Sequence, residues 1–194
     1  RGGMAEVRYH FASPMPARSR SPRRDGKPGL LVIQTGGTID KAYPRSKGGY
    51  AFEIDAPAAP AILQQVGFLG YEVRCITVCR LDSQEIREAE RTALAKEVAE
   101  APEKMVLVTH GTDTLVDSAR FVARTLAESH GDKRIVFTGA MRPAKFVDSD
   151  AAFNVGGACA ALSLVTPGVY VCMNGRVLPA AETRRDEEGL FVRE

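Results

Sequence analysis

The 194-residue chain has no G-x-G-x-x-G turn and no glycine-rich loop closed by G-K-[ST]. A dinucleotide fingerprint and a phosphate loop are therefore both missing. No stretch approaches the ~20 apolar residues that a membrane span needs, so no membrane partner is expected. The four cysteines (Cys75, Cys79, Cys159, Cys172) form no C-x-x-C pair, and His10, His110 and His130 show no ligand spacing. Free thiols are the expected state, and neither metal nor cofactor chemistry is expected. There are no internal repeats and no sign of a second globular domain.

Charge is also short of one sign once the first segment is set aside. Residues 1–29 hold seven Arg/Lys against Glu6 and Asp25, whereas the remainder carries 19 basic and 22 acidic residues. A mildly acidic body offers no broad basic face, so no nucleic-acid partner is expected. The tail is rich in Arg, Ser, Pro and Gly and has no periodic apolar pattern, which predicts disorder over 1–29. A transit peptide or an electrostatic tether are the sharper alternatives. Arg23-Arg24 is not followed by the apolar segment of an export signal. A first residue that is not Met is compatible with a cloning scar or an upstream truncation. A cytoplasmic protein is the expectation.

What is present is an alternation of elements over residues 30–194, with 44% hydrophobic residues in the chain to form a core. Continuous apolar runs at Leu30–Gln34, Tyr71–Cys79, Met105–Val108, Ile135–Phe137 and Val169–Met173 read as buried strands. Between them, helices are predicted at Ala58–Val66, from the Asp82-Ser83-Gln84-Glu85 capping-box pattern to Ala101, at Leu115–Leu126 and at about Asp150–Leu164. Residues 40–52, which include Lys41, Tyr43 and the Gly48-Gly49 pair, lack a core face and read as a mobile flap. The βαβαβαβαβ order predicts an α/β fold, a parallel sheet with helices on both faces.

Four polar clusters begin where predicted strands end. They are Thr35-Gly36-Gly37-Thr38, Asp82-Ser83-Gln84-Glu85, His110-Gly111-Thr112-Asp113-Thr114 and Thr138-Gly139-Ala140-Met141-Arg142-Pro143. In a parallel sheet these ends share one edge, where ligands bind in a crevice. Taken singly, each cluster has a plain structural reading. Gly36-Gly37-Thr38 can be a strand-to-loop turn, and Ser83, Thr112 or Asp113 can cap helices. Four of them on one edge point instead to an enzyme. A threonine hydroxyl can act as a nucleophile given a base and oxyanion donors. A carboxylate such as Asp113 can hold a cationic amino group.

Together with Ile39, Leu115, Ser149-Asp150, Asn154 and Met173-Asn174, these motifs resemble those of the bacterial-type L-asparaginase family, in the family's order, from about Leu30 to Asn174. The resemblance implies a fold like the asparaginase N-terminal domain and hydrolysis of asparagine to aspartate and ammonia through an acyl-enzyme. It implies Thr38 as nucleophile, assisted by the flap residue Tyr43, with Thr112 as second catalytic threonine. Ser83, with Gln84 beside it, would bind the substrate α-carboxylate, and Asp113 the α-ammonium. The amide after Gly111 would help form the oxyanion hole, Gly37 would let the backbone approach the ligand, and the Ala140 carbonyl would meet the substrate amide. A homo-oligomer, dimer or tetramer, is also implied.

Two departures stand out. The family's lysine beside the second threonine has no counterpart, since no lysine follows Lys145. Its place falls to Arg185, next to Arg184, and arginine cannot relay a proton. The chain also stops before the family's smaller C-terminal domain, as expected of a short single-domain branch or a fragment. The alternatives are a catalytically weak or silent amino-acid-binding domain, and an amidase acting on glutamine or a larger amide.

Overall fold

Runs such as Leu30-Leu31-Val32-Ile33 and Met105-Val106-Leu107-Val108 have no polar interruption, and are stable as strands only where both sheet faces are covered. In the computed structural model, which describes residues 6–8, 26–43, 52–127 and 131–194, both become central strands. In chain order the strands are β1 (Glu6–Arg8), β2 (Gly29–Gly36), β3 (Lys41–Ala42), β4 (Glu53–Ile54), β5 (Glu72–Leu81), β6 (Met105–Thr109), β7 (Arg134–Thr138), β8 (Gly168–Met173), β9 (Arg176–Pro179), β10 (Thr183–Arg185) and β11 (Phe191–Arg193). The helices are α1 (Ala58–Gln64), α2 (Glu88–Glu100), α3 (Leu115–Thr125) and α4 (Ala151–Leu164).

Among the described residues, the main sheet has seven strands in the order β1-β5-β2-β6-β7-β8-β9. The pairs from β5 to β8 are parallel, and β1 and β9 close the two edges antiparallel. The chain runs from β2 out to β5, then crosses back to place β6 on the other side of β2. The carboxyl ends of β2 and β6 thus flank a topological switch point, the position where doubly wound sheets open a crevice.

Two apolar clusters sandwich the sheet. On one face Leu31, Ile33, Val106 and Val108 pack under α2, α3 and Phe191. On the other, Leu30, Val32, Leu107 and Val136 pack under α1 and α4. Alternate residues of one strand thus feed opposite clusters, each fully buried aliphatic contributing about 1.5–3 kcal/mol. The five parallel strands stand where the apolar pattern predicts them, as do the helices apart from the start of α2.

Several local features differ from the sequence reading. The Asp82–Glu85 box does form, with Asp82 N donating to Glu85 Oε2 at 3.1 Å, but it closes a 3₁₀ turn over Ser83–Glu85. The long helix starts only at Glu88, where Arg87 N donates to Glu90 Oε2 at 2.8 Å. After Met173 the chain does not leave the sheet. Asn174 (φ 53°) and Gly175 (φ 76°) turn it back as β9, in the positive-φ pair that suits the twist of a two-residue hairpin. At the other edge, Glu6–Arg8 pairs with Arg74–Ile76 of β5. This corrects the expectation of disorder for those three residues, because an open strand edge is a template for backbone pairing. The remainder of the predicted tail up to residue 25, and residues 44–51 of the predicted flap, lie outside the described residues.

Candidate active site

Each polar cluster leaves the sheet at its carboxyl edge, and three glycines govern how near they come. Gly37, at φ 84°, sits against Gly111 so closely that a Cβ on Gly37 would overlap the Gly111 backbone. A Cβ on Gly111 would in turn lie 2.7 Å from Ser83 Cβ. A Cβ on Gly139 would overlap the His110 carbonyl and lie 3.6 Å from Thr112 Cγ2. Loops separated by up to a hundred residues in sequence are therefore in van der Waals contact, and side chains at the contact points would force them apart. The four clusters read from sequence make one locus.

Thr38 opens a short 3₁₀ turn, Thr38–Asp40, that follows directly from β2, and it is half-buried. Gly37 N donates to Leu81 O at 3.0 Å, which fixes the turn against the end of β5. Ser83 and Thr112 are buried, while Asp113 is exposed. None of the side-chain hydrogen bonds among the described residues involves the hydroxyls of Thr38, Ser83 or Thr112. Thr114, by contrast, is committed to structure: its Oγ1 donates to Ser83 O at 2.6 Å and ties the second cluster to the third.

Asp113 is the electrostatic centre. Gln84 Nε2 donates to its Oδ2 at 2.8 Å and Arg185 Nη1 to its Oδ1 at 2.6 Å. The Gln84 hydrogen bond, with that from Arg185 next, holds the Asp113 carboxyl below the usual carboxylate range. Arg185 is itself steadied by the Gly189 carbonyl at 3.3 Å, and it reaches the site from β10, which pairs with β11. The structure therefore brings Arg185 to Asp113, 72 residues away in sequence.

The fourth cluster is held from behind. Asp150 accepts from the amides of Met141 (3.0 Å) and Arg142 (3.1 Å). Asn154 Nδ2 donates to Gly139 O at 3.1 Å, and its Oδ1 receives the Asn174 amide at 3.2 Å. Ala140 is buried between these anchors. His110 is wholly buried, with Nδ1 2.8 Å from Gly111 O and Nε2 without a partner. Burial pushes its pKa down to about 4, so the ring is neutral near pH 7.

Tyr43 is 68% exposed and packs its ring on Phe52, with centroids 4.8 Å apart. Phe52 in turn meets Phe146 at 5.9 Å. The flap tyrosine thus leans on the return of its own loop and, through it, on the segment after Pro143. β3 and β4 pair at the flap base.

Two residues at that base received no site role from the sequence reading. Lys41 Nζ donates to Asp82 Oδ2 at 2.6 Å, joining the flap to the second cluster. Asp40 is buried, an unusual place for a carboxylate. The available signal was two charged residues directly behind Thr38-Ile39. Among the described residues no group of three or more His, Cys, Asp or Glu is placed to hold a metal ion.

Comparison with known proteins gives this locus a context. The family description "Asparaginase, N-terminal" matches residues 29–188. The chain belongs to the asparaginase family. Within it, the chain is 29% identical over 169 residues to a glutaminase-asparaginase of Acinetobacter glutaminasificans, covering 82% of this chain and 50% of that protein. It is also 29% identical over 169 residues to L-asparaginase 2 of Escherichia coli K12, covering 81% and 46% respectively. The thermostable L-asparaginase from Thermococcus kodakarensis superposes with a TM-score of 0.73 at 26% identity, over 85% of this chain and 51% of that one. The chain spans about half the length of the curated relatives it matches.

Proposed function

We propose that this asparaginase-family chain hydrolyses L-asparagine to L-aspartate and ammonia by covalent threonine catalysis. The observation that supports the reading is the contact of Gly37 with Gly111 and of Gly111 with Ser83, which presses together the loops that carry Thr38, Ser83 and Thr112-Asp113. A zwitterionic amino acid needs an anion site and a carboxylate at a fixed separation from the nucleophile. In this reading Ser83, with Gln84 beside it, takes the α-carboxylate, and Asp113 takes the α-ammonium. Asp113 suits that role because it is ionised, exposed, and retains lone pairs beyond those used by Gln84 and Arg185.

The Thr38 hydroxyl oxygen attacks the side-chain amide carbon and gives up its proton, with Tyr43 and Thr112 assisting. The amide after Gly111 stabilises the oxyanion, and the Ala140 carbonyl receives the substrate amide. Ammonia leaves after the nitrogen takes up a proton, and the remaining aspartyl ester on Thr38 is hydrolysed by water. Arg185 stands where the family's lysine would act and orients Asp113 without exchanging a proton. The catalytic unit is residues 30–194, the N-terminal 29 residues are an accessory tail, and the working form is a cytoplasmic homo-oligomer, dimer or tetramer. Neither metal nor cofactor takes part.

The relatives' names include both asparaginase and glutaminase-asparaginase, so glutamine is the first competing substrate. The Arg185–Asp113 pair favours one second reading, a binding domain with little or no turnover, because it replaces a residue able to exchange protons. Ammonia release from asparagine and glutamine over a concentration series, in wild type and Thr38→Ala, separates these. Saturable release from asparagine that disappears in the variant supports the proposal. Saturable binding without release supports the silent domain.

A further inference from the structure

One buried ionisable group next to Thr38 has no part in that mechanism. Asp40 is 3% exposed, and it sits where the flap leaves the sheet edge and where it returns. Its amide donates to Gly37 O at 3.1 Å, at the turn that carries Thr38. Its carbonyl accepts the Asp55 amide at 2.9 Å, and its Oδ1 accepts the Ala58 amide at 2.8 Å. The next two residues, Lys41 and Ala42, pair with Ile54 and Glu53. Gln34 completes the joint: its Nε2 donates to Asp55 O at 2.9 Å, and its Oε1 accepts from the Thr77 hydroxyl at 2.8 Å. Asp40 Oδ2 is buried with no hydrogen-bond partner.

From this geometry we infer that Asp40 is a positioning residue, a neutral carboxylic acid that fastens the root of the flap to the Thr38 turn. The inference rests on the reading of Thr38 as nucleophile and adds a residue to it. A buried carboxylate with one oxygen unpaired is far costlier than the protonated acid, whose hydroxyl loses only a neutral group's hydration. Burial accordingly pushes the Asp40 pKa up to about 7. The other charged or titratable groups around it, among the described residues, are Arg80 and Cys75 of β5 and Asp55 on the flap return. The Ala58 amide, the Gln34 side chain and Arg80, in that order, favour the anion and Asp55 opposes it, but burial outweighs them. Asp55 is paired with Lys145 at 2.6 Å, and the Cys75 thiol, pushed up to about 12 by burial, stays neutral.

The consequence has a definite sign. The folded-state pKa of Asp40 is raised, so its contribution to stability is whole below about pH 4 and is lost as pH rises to about 7. His110 runs the other way, because its folded pKa is depressed, and its contribution is lost as pH falls from about 6.5 to about 4. The two slopes oppose each other in the wild type, so the informative quantity is the difference between wild type and Asp40→Asn, which removes only the first. Asn keeps the Oδ1 acceptor for Ala58 and mimics the neutral acid, while Ala keeps neither.

The experiment measures Tm from pH 4.5 to pH 8 for wild type, Asp40→Asn and Asp40→Ala, with kcat and KM for asparagine over the same range. Amide exchange at Asp55 and Ala58 is followed as well. The Tm of the Asn variant is expected to gain several degrees on wild type as pH rises across the window. The wild-type kcat should carry a limb that falls through about pH 7 and that Asp40→Asn lacks. Asp40→Ala should lose at least about tenfold in kcat with little change in KM, since misplacement of a nucleophile acts on the chemical step. It should also exchange the Asp55 and Ala58 amides faster than the Asn variant. A Tm difference that stays flat with pH overturns the protonated state. Equal kcat and equal exchange in the Asn and Ala variants overturn the positioning role. If wild type releases no ammonia, the asparaginase reading fails, while the Tm and exchange measurements still decide whether Asp40 is the neutral fastener of the flap.

Discussion

On the β2 side of the crevice, Thr38 is held by backbone hydrogen bonds and by a buried side chain two residues on, and its own hydroxyl has no partner among the described residues. On the β6 side, Asp113 is exposed and its two oxygens are gripped by Gln84 and Arg185. The first limb is fixed by shape, with Gly37 pressed on Gly111, and the second by charge, with a carboxylate held ionised. A reacting hydroxyl gains from having no competing partner, because any hydrogen bond it makes in the resting state must be broken on attack. A group that binds a cation gains from staying ionised at every working pH. The two limbs should therefore fail differently when they are cut.

The sharpest cut is Thr38→Ala. It should lower turnover by at least about 10³-fold, in line with loss of a nucleophile. The Tm should move little, because among the described residues no hydrogen bond of the fold depends on the hydroxyl. Comparable turnover in the variant would take the nucleophile role from Thr38. Asp113→Ala removes the charged limb instead and should act mainly on KM. An ionic, partly desolvated contact is worth about 2–4 kcal/mol. Competition between asparagine and an analogue lacking the α-amino group gives the check, and undiminished discrimination would show that Asp113 does not bind the ammonium.

Gly37→Ala tests the seam between the limbs. The added methyl has no room against Gly111 and the residue sits at φ 84°, so stability should fall by about 1–3 kcal/mol through overpacking. Both kcat and KM should worsen together, and a urea midpoint equal to wild type would mean that the two loops can move apart freely. The smallest effect is expected from Arg185→Lys. An ammonium can exchange a proton where a guanidinium cannot, but it gives up the contacts to Asp113 and Gly189. The net expectation is a rise in kcat of about threefold, under ~1 kcal/mol, with a new limb at basic pH. A lower kcat with no such limb would make Arg185 a structural group only.

The parts of the molecule legible in the sequence are those that depend on local pattern. Runs such as Leu30–Ile33 and Met105–Val108 can satisfy their apolar surface only as central strands, and the spacing of Leu115, Ala119 and Val122 leaves one helical solution for α3. Polar clusters at strand ends then fall on one edge without any knowledge of the loops. The register that set Arg185 against Asp113 came from the resemblance, not from a pattern, since β10 carries no periodic signal of its own.

The less legible parts depend on tertiary partners. The edge pairing of Glu6–Arg8 exists because β5 offers an unpaired edge, which a polar tail sequence does not announce. The β9 hairpin was marked by Asn174-Gly175, a turn signal that lay unused behind the last apolar strand. Asp40 belongs to the stretch 40–52 that reads as a flap without a core face, since only the fold reveals that Asp55 and Ala58 return to cover it. The same holds for Lys41, whose partner Asp82 lies 41 residues on.

A covalent intermediate on Thr38 can be trapped by acid-quenching the Thr112→Ala variant during asparagine turnover and located by mapping its peptides with mass spectrometry. Loss of the second threonine should slow deacylation enough for the ester to accumulate. A mass increase of one aspartyl group is expected, confined to the peptide that contains Thr38 and absent when Thr38→Ala is added. An aspartyl adduct on any other residue, or continued ammonia release by the double variant with no adduct, would contradict it.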